Sequence, residues 1–157
     1  MTSRATSARS TGRDKPIDMA GLPDSVGFML RLAQVAAFRG VMAALKPFDL
    51  RVSDFSILLI IEANPGLKQQ AVGEALSIKR ANLVSMIDAL EKRGLIIRTV
   101  PKTDKRSYAL SLTDAGRALM VDAKAAEQAS QHELAMLVGE NHGRLIKDLK
   151  RIVEHST

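Results

Sequence analysis

Several residue types that carry catalytic or metal chemistry are absent or rare in this chain of 157 residues. It has no cysteine, which excludes disulfide bonds, thiolate metal sites and cysteine nucleophiles. Its three histidines, His132, His142 and His155, leave little for a zinc site or a histidine-based catalyst. It also lacks the Gly-x-Ser-x-Gly, Gly-x-Gly-x-x-Gly and phosphate-loop Gly-Lys-Ser/Thr motifs. These absences argue against an enzyme, and we expect neither a metal ion nor another cofactor.

Long hydrophobic runs are lacking as well. The longest uncharged apolar run, Phe55 to Ile61, is far shorter than the ~20 residues that a membrane-spanning helix needs. The first residues are rich in Thr, Ser and Arg and contain no apolar block of the kind that a signal peptide has. With 46% hydrophobic residues the chain can still build one core. We therefore expect a soluble, cytoplasmic protein of single-domain size with no membrane partner.

Positive charge is concentrated in two segments. The formal net charge of +6 divides into +3 for residues 1–16, +5 for residues 67–107 and −2 for the remainder. Surface charge without a partner would be scattered more evenly, so this asymmetry indicates a polyanionic partner. Residues 1–20 show no apolar period and are predicted to form a disordered basic arm. The arm either contacts nucleic-acid phosphates or only keeps the chain soluble.

Apolar residues recur at helical spacing through most of the chain. Asp24, Ser53 and Thr113 are the predicted N-caps of the first, second and fifth helices, and Gly94 ends the fourth. Pro47 ends the first helix, because the residue before a proline avoids the α region. Six helices are predicted, and their approximate bounds are 24–46, 54–63, 68–76, 79–93, 113–138 and 144–153.

Between the fourth and fifth predicted helices, the spacing of the apolar residues changes to a period of two residues. Leu95 to Val100 and Tyr108 to Leu112 are predicted strands, separated by a polar, basic loop. A tight helix-turn-helix followed at once by a hairpin is typical of a winged helix-turn-helix, whose second helix enters the ~12 Å wide major groove of DNA. The expected fold is therefore mainly α with a small β-hairpin wing, and the basic segment coincides with it.

Four motifs within Phe48 to Leu119 resemble those of the MarR family (multiple-antibiotic-resistance regulators). Each is unspecific alone, but together they occur in the order and at the spacing of the family. The motifs are residues 52–58 at the start of the second helix, residues 82–96 in the recognition helix, Asp104-Lys105-Arg106 at the wing tip, and residues 110–116, which fit Leu-x-Leu-Thr-x-x-Gly.

The resemblance implies a homodimer that reads a pseudopalindromic operator in double-stranded DNA. The first and last two helices would intertwine with those of the partner, and many members are repressors released by small aromatic or otherwise anionic ligands. The implied segments are the arm at 1–20, dimerisation helices at 21–47 and 113–157, and the winged helix-turn-helix at 48–112. Dimerisation agrees with the residues, since terminal apolar helices in so small a chain need a partner surface.

Candidate DNA contacts lie on the recognition helix and the wing. Leu83, Val84, Ile87 and Leu90 are predicted to face the core. Arginine bonds guanine and asparagine bonds adenine in bidentate fashion, which makes Arg80 and Asn82 the predicted base readers. Phosphate contacts are the alternative for Ser77, Lys79 and Arg80.

In the wing, the resemblance places Arg106 in or along the minor groove, braced by Asp104. The alternative for Asp104, compatible with the first, is a turn residue that bonds its own backbone. The complete set of predicted DNA contacts is Ser77, Lys79, Arg80, Asn82, Ser85, Lys102, Asp104, Lys105 and Arg106.

A ligand site is predicted on the first helix. Phe28 and Phe38 lie ten residues apart with Arg31 and Arg39 nearby, and an arginine beside aromatic rings suits a ring-bearing carboxylate or phosphate. Core phenylalanines with snorkelling arginines are the alternative. Residues 27–34 resemble a branch of the family that controls aromatic-acid degradation, in which some members sense aromatic acyl-CoA thioesters. An aromatic carboxylate or its CoA thioester is thus the predicted effector, and a DNA-associated architectural or interaction module without ligand response is the alternative.

Overall fold

The computed structural model describes residues 17–100 and 108–155. The predicted basic arm up to residue 16 and the predicted wing tip, residues 101–107, lie outside these ranges. The described chain is mainly α-helical with a small antiparallel sheet, which confirms the predicted fold class. The helices are α1 (Val26–Leu45), α2 (Val52–Ala63), α3 (Gln69–Ala75), α4 (Arg80–Lys92), α5 (Asp114–Val138) and α6 (His142–Glu154), and the strands are β1 (Leu67–Lys68), β2 (Ile96–Thr99) and β3 (Ala109–Leu112).

The chain divides into two compact units, one ending at Ala33 and the other beginning at Gln34. In the first unit, the prediction that Asp24 is the N-cap of the first helix is wrong. Asp24 is the last residue of a 3-10 turn, Leu22–Asp24. Pro23 fixes its own φ and so favours that turn, and α1 begins only at Val26.

In the second unit, the start of α2 differs from the prediction and the start of α5 agrees with it. Ser53 is not an N-cap: α2 begins at Val52, and the Asp54 carboxylate accepts a hydrogen bond from the Arg51 N–H at 3.1 Å. A carboxylate at that position satisfies a free N–H group of the first turn, so the helix starts two residues earlier than predicted. Thr113 does cap α5, because its hydroxyl accepts from the Gly116 N–H at 3.0 Å.

The sheet has three strands in the order β1-β3-β2, all antiparallel. β2 and β3 form the predicted hairpin, with Ile96 opposite Leu112 and Thr99 opposite Ala109. β1 was not predicted, since two residues are too few to show an alternating pattern. It pairs with the other edge of β3, and so joins the segment before α3 to the wing.

The core of the second unit lies between α2, α4, α5 and the sheet. Its largest fully buried side chains are Leu45, Ile57, Leu58, Ile61, Val72, Leu83, Ile87, Leu90, Ile96, Leu110 and Met120. Leu83, Ile87 and Leu90 form the predicted buried stripe of α4, but Val84 is 39% exposed, contrary to the prediction. The stripe of α4 follows positions i, i+4 and i+7, and Val84 lies beside it.

α1 is more apolar than the sequence analysis recognised. Together with the following 3-10 turn it forms a segment, Val26–Phe48, that is long and apolar enough to cross a membrane by length and composition alone, with a mean hydropathy of 1.4. Arg31 and Arg39 interrupt this apolar helix, so the sequence does not show it as an uncharged run. One such helix is weak evidence for a span, and only 11% of its most apolar window is buried within the chain.

Candidate functional site

The helix-turn-helix is closed by a short, strained turn between α3 and α4. Ser77 has φ +52°, a left-handed conformation that costs energy for any residue with a side chain. The turn is held by hydrogen bonds from the Ile78 N–H to the Gly73 carbonyl at 2.9 Å and from the Ser77 N–H to the Glu74 carbonyl at 3.2 Å. A methyl group at Gly73 would lie 3.0 Å from the Leu83 side chain. α4 is therefore packed closely on α3 in a fixed orientation.

A groove of about 1250 Å³ runs between α3, α4 and the base of the wing. Both signs of charge line it, and basic side chains predominate near the start of α4. Its charged lining residues are Lys68, Glu74, Lys79, Arg80, Asp88, Glu91 and Arg98. A concave surface with exposed cations at a helix start can hold the sugar-phosphate backbone of a duplex.

The predicted DNA contacts fall into three groups. Ser77, Lys79 and Arg80 are exposed and line the groove. Asn82 and Ser85 are exposed on α4 but are not part of the groove lining, and the Ser85 hydroxyl donates to the Asn82 carbonyl at 2.8 Å. The remaining four, Lys102, Asp104, Lys105 and Arg106, lie outside the described residues.

An arginine that the sequence analysis counted only as charge links the wing to α4. Arg98 on β2 donates to the Glu91 carboxylate at 2.7 Å and to the Asp88 carboxylate at 2.5 Å. Its guanidinium carbon lies 5.8 Å from the centre of the Tyr108 ring. The sequence holds one signal of this network, namely two acids three residues apart on a predicted helix of a basic segment.

The wing meets α5 at a close backbone approach. The Thr113 hydroxyl donates to the Gly94 carbonyl at 2.5 Å, and the Thr113 N–H donates to the Leu95 carbonyl at 3.1 Å. A Cβ at Gly116 would lie only 2.1 Å from the Leu95 carbonyl oxygen. The Thr-x-x-Gly spacing is thus required by this joint, which fixes the wing against the start of α5.

A second concave region lies on the other side of α4, entirely within the second unit. This cavity of about 870 Å³ lies between the C-terminal part of α1, the start of α2, and the ends of α3 and α4. Its walls are mostly apolar, with basic side chains among them. The apolar lining includes Phe38, Met42, Leu50, Val52, Leu76, Ile78 and Leu90, the basic lining residues are Lys46, Arg51 and Arg93, and the acidic ones are Asp49 and Asp54.

Two of these basic side chains have bonding partners at the edge of the cavity, Arg51 within α2 and Arg93 between two elements. Arg51 forms a bidentate pair with the buried Asp54, at 2.8 Å and 3.0 Å, and the hydrogen bond and charge of that carboxylate raise the pKa of Arg51. Arg93, at the end of α4, donates to the carbonyls of Asp49 at 2.6 Å and Phe48 at 3.0 Å. Arg93 thereby joins the recognition helix to the connection between α1 and α2.

Of the predicted ligand residues, only Phe38 lines this cavity. Arg39 is exposed and is not part of the lining. In the N-terminal unit, Phe28 is half-buried and Arg31 is exposed. The sequence analysis missed Arg51 and Arg93 because they are 42 residues apart, and only the fold brings them to one cavity. Within residues 17–100 and 108–155, no cluster of three or more acidic or histidine side chains could hold a metal ion.

The chain is similar to known regulators in its sequence. Residues 50–108 match the model of the MarR family. Over 136 residues it is 35% identical to a protein of Thauera aromatica assigned as a transcriptional regulatory protein for the hcr operon, an alignment that covers 85% of this chain and 80% of that relative. This chain belongs to the MarR family. It is accordingly a DNA-binding transcription regulator and not an enzyme.

Solved structures of the same family have the same fold. The transcriptional repressor CouR bound to a 23-mer DNA duplex has a TM-score of 0.85 with 37% identity, over 88% of this chain and 99% of that chain. CouR bound to p-coumaroyl-CoA has a TM-score of 0.76 with 31% identity, over 90% of this chain and 100% of that chain. The predicted family and the winged helix-turn-helix fold are thereby confirmed.

Proposed function

We propose that this MarR-family protein is a cytoplasmic homodimeric repressor that binds a pseudopalindromic operator and is released by an aromatic carboxylate or its CoA thioester. The observation that carries the proposal is the groove beside α4, with Ser77, Lys79 and Arg80 exposed along it. The likeness to CouR, which is solved bound to a DNA duplex, supports double-stranded DNA as the partner. Half-sites are expected about one helical turn apart, ~10 bp from centre to centre, and Arg80 and Asn82 are the proposed base readers.

Exposed apolar side chains on the terminal helices support the homodimer. Contiguous apolar surface of more than a few hundred Å² usually marks an interaction site. Large exposed apolar residues occur on α1, at the end of α5 and on α6: Val26, Met29, Leu32, Val35, Phe38, Met42, Leu134, Met136, Leu137, Leu145 and Ile146. In each of the two units, we assign these exposed apolar side chains to contacts with a second copy of the chain, as the family implies. The same assignment accounts for the apolar character of α1 without a membrane.

The cavity beside α4 supports a ligand with an aromatic body and a negative charge. Its volume of about 870 Å³ falls within the ~300–1,000 Å³ of typical small-molecule sites. Phe38 and Met42 offer an apolar wall for a ring. The lining holds one more cation than acid, because Lys46, Arg51 and Arg93 face Asp49 and Asp54, and this excess suits a carboxylate or phosphate. CouR, the relative solved with p-coumaroyl-CoA, favours an aromatic acyl-CoA within this class. Contacts by Phe28, Arg31 and Arg39 stay predictions.

Arg93 offers a physical route from the cavity to the DNA. An anion that draws this guanidinium away from the carbonyls of Phe48 and Asp49 would release the end of α4 from the connection between α1 and α2. A ligand shifts the equilibrium only if it binds the released arrangement better than the DNA-bound one. A coupling of ~1–3 kcal/mol would weaken operator binding about 5–150-fold.

Two measurements test the proposal. Fluorescence anisotropy with the region upstream of the gene and with random duplex of equal length should show a clear preference for the former and a steep loss of affinity with salt. Calorimetric titration with p-coumarate, p-coumaroyl-CoA and CoA alone, each with and without operator, should show binding that operator DNA weakens by the same factor as the ligand weakens operator binding. Equal affinity for both duplexes contradicts sequence-specific regulation. Operator preference without any ligand effect favours the alternative, a DNA-associated module that lacks an effector.

A further inference from the structure

The recognition helix carries two acids in the midst of a basic surface. Asp88 and Glu91 line the same groove as Lys79 and Arg80, and the side chain of Asp88 is 56% exposed. A duplex carries one phosphate charge per ~1.7 Å of its axis, and charges within the ~8 Å Debye length of physiological salt are poorly screened. Unpaired carboxylates at this position would therefore repel the ligand that the groove binds.

Arg98 is placed to prevent that repulsion. One of its terminal nitrogens donates to Glu91 at 2.7 Å and the other to Asp88 at 2.5 Å, so a single guanidinium faces both acids. The second Glu91 oxygen accepts from the backbone N–H of Arg98 at 3.4 Å. The Arg98 side chain is only 17% exposed, and its Nε is buried with no hydrogen-bond partner among the described residues. Both of its accessible donor ends are thus used within the protein.

The same guanidinium lies between the two strands of the wing and α4. Arg98 is on β2, close to its last residue, and packs 5.8 Å from the Tyr108 ring, at the start of β3. Val100 and Tyr108 are the described residues on either side of positions 101–107, and Arg98 lies against the second of them. A planar fork can bond two carboxylates and stack on a ring at once, which an ammonium group cannot.

We propose that Arg98 is a positioning residue for DNA recognition: it neutralises Asp88 and Glu91 on the recognition helix and holds the base of the wing against that helix. It acts through these two carboxylates and makes no contact of its own with a phosphate. This inference rests on the proposed operator binding and does not depend on the proposed effector. A protein without any ligand response would leave it unaffected.

A double-mutant cycle tests it with the full-length protein. The operator is selected from a random duplex library by the wild-type protein, and affinity is measured by anisotropy on Arg98→Ala, on Asp88→Asn/Glu91→Gln, and on the triple variant. Stoichiometric titration supplies the active fraction of each preparation. We expect Arg98→Ala to weaken operator binding about 5–20-fold, because it frees two partly exposed carboxylates to repel the phosphates close to the groove. In the Asp88→Asn/Glu91→Gln background, the same substitution should weaken operator binding by less than about threefold.

Three outcomes would overturn the proposal. An equal loss in both backgrounds would mean that Arg98 contacts DNA directly. No loss in the wild-type background would mean that the acids do not affect DNA binding. A lower melting temperature with unchanged affinity per active dimer would mean that the network only stabilises the fold.

Two further variants serve as controls for this experiment. Lys124→Ala removes another half-buried cation, paired with Glu62 at 2.9 Å and absent from the groove lining. It should lower stability and leave operator affinity unchanged. If Arg98→Ala does not fold, Arg98→Lys replaces it: this variant keeps the charge, loses the fork, and should weaken operator binding by an intermediate factor that neutralising the two acids again abolishes.

Discussion

Replacing Gly116 with alanine would place a methyl group where the chain has no room for it. The new Cβ would lie 2.1 Å from the Leu95 carbonyl oxygen, 3.0 Å from its carbonyl carbon and 3.3 Å from its Cα. All three neighbours are backbone atoms, which cannot rotate away as a side chain would. The start of α5 and the base of the wing must therefore move apart by roughly 1 Å, the distance needed to reach a normal non-bonded contact.

That movement has an energetic cost that can be worked out. Overpacking of this kind costs ~1–3 kcal/mol, and each of the two Thr113 hydrogen bonds that span the joint contributes ~0.5–1.5 kcal/mol. Alanine gains only ~0.5–1 kcal/mol over glycine from helix propensity. We expect the free energy of unfolding to fall by about 1–5 kcal/mol, and operator affinity to fall with it because the wing is displaced.

Urea unfolding followed by circular dichroism at one fixed protein concentration measures this change, since a dimer's stability depends on concentration. Gly143→Ala is the matched control. It lies on α6 with no atom within 4 Å of a new Cβ, and should stabilise the protein by ~0.5–1 kcal/mol. A Gly116→Ala protein as stable as the wild type, beside a stabilised Gly143→Ala protein, would refute the close-approach argument.

Four other substitutions have defined expected results. Arg80→Ala or Asn82→Ala should each cost roughly 1–3 kcal/mol of operator affinity and relax the preference at one base pair; unchanged affinities across single-base operator variants would show that neither residue reads bases. Asp54→Ala removes the acceptor of the first turn of α2 and the partner of Arg51, and should lower the free energy of unfolding by ~1–3 kcal/mol in urea titrations. Arg93→Ala should reduce the factor by which p-coumaroyl-CoA weakens operator binding, and an unchanged factor in paired titrations would exclude Arg93 as the route.

The features that the sequence predicted correctly depend on neighbouring residues. Thr113 and Gly116 belong to one motif of a few residues, and the stripe of Leu83, Ile87 and Leu90 follows from helical spacing alone. The exposed positions at the start of α4 follow from the same period. Local patterns of this kind determine which side of a helix faces the core before any tertiary contact is known.

The features that the sequence did not predict depend on contacts between distant segments. β1 forms only because β3 offers a free edge to Leu67 and Lys68, and the cavity brings together Arg51 and Arg93 from different helices. Val84 is 39% exposed because it lies beside the buried stripe of α4, and an apolar residue at the edge of a stripe can be buried or exposed at the same helical spacing. The proposed effector contacts remain the least predictable part, since the aromatic and basic residues of α1 have no pattern that separates ligand contacts from a dimer surface.

Because β3 lies between two strands, the two strands of the wing should differ in the rate at which their backbone hydrogen bonds open. β3 is hydrogen-bonded on one side to β2 and on the other to β1, and the Gly66 and Gln69 N–H groups extend the second set. Among the described residues, β2 has a strand partner on one side only. Local opening that frees β2 breaks one ladder, whereas opening that frees β3 breaks two. Backbone amides of β3 should therefore exchange with deuterium more slowly than those of β2, and fluctuations of the wing will originate in its first strand.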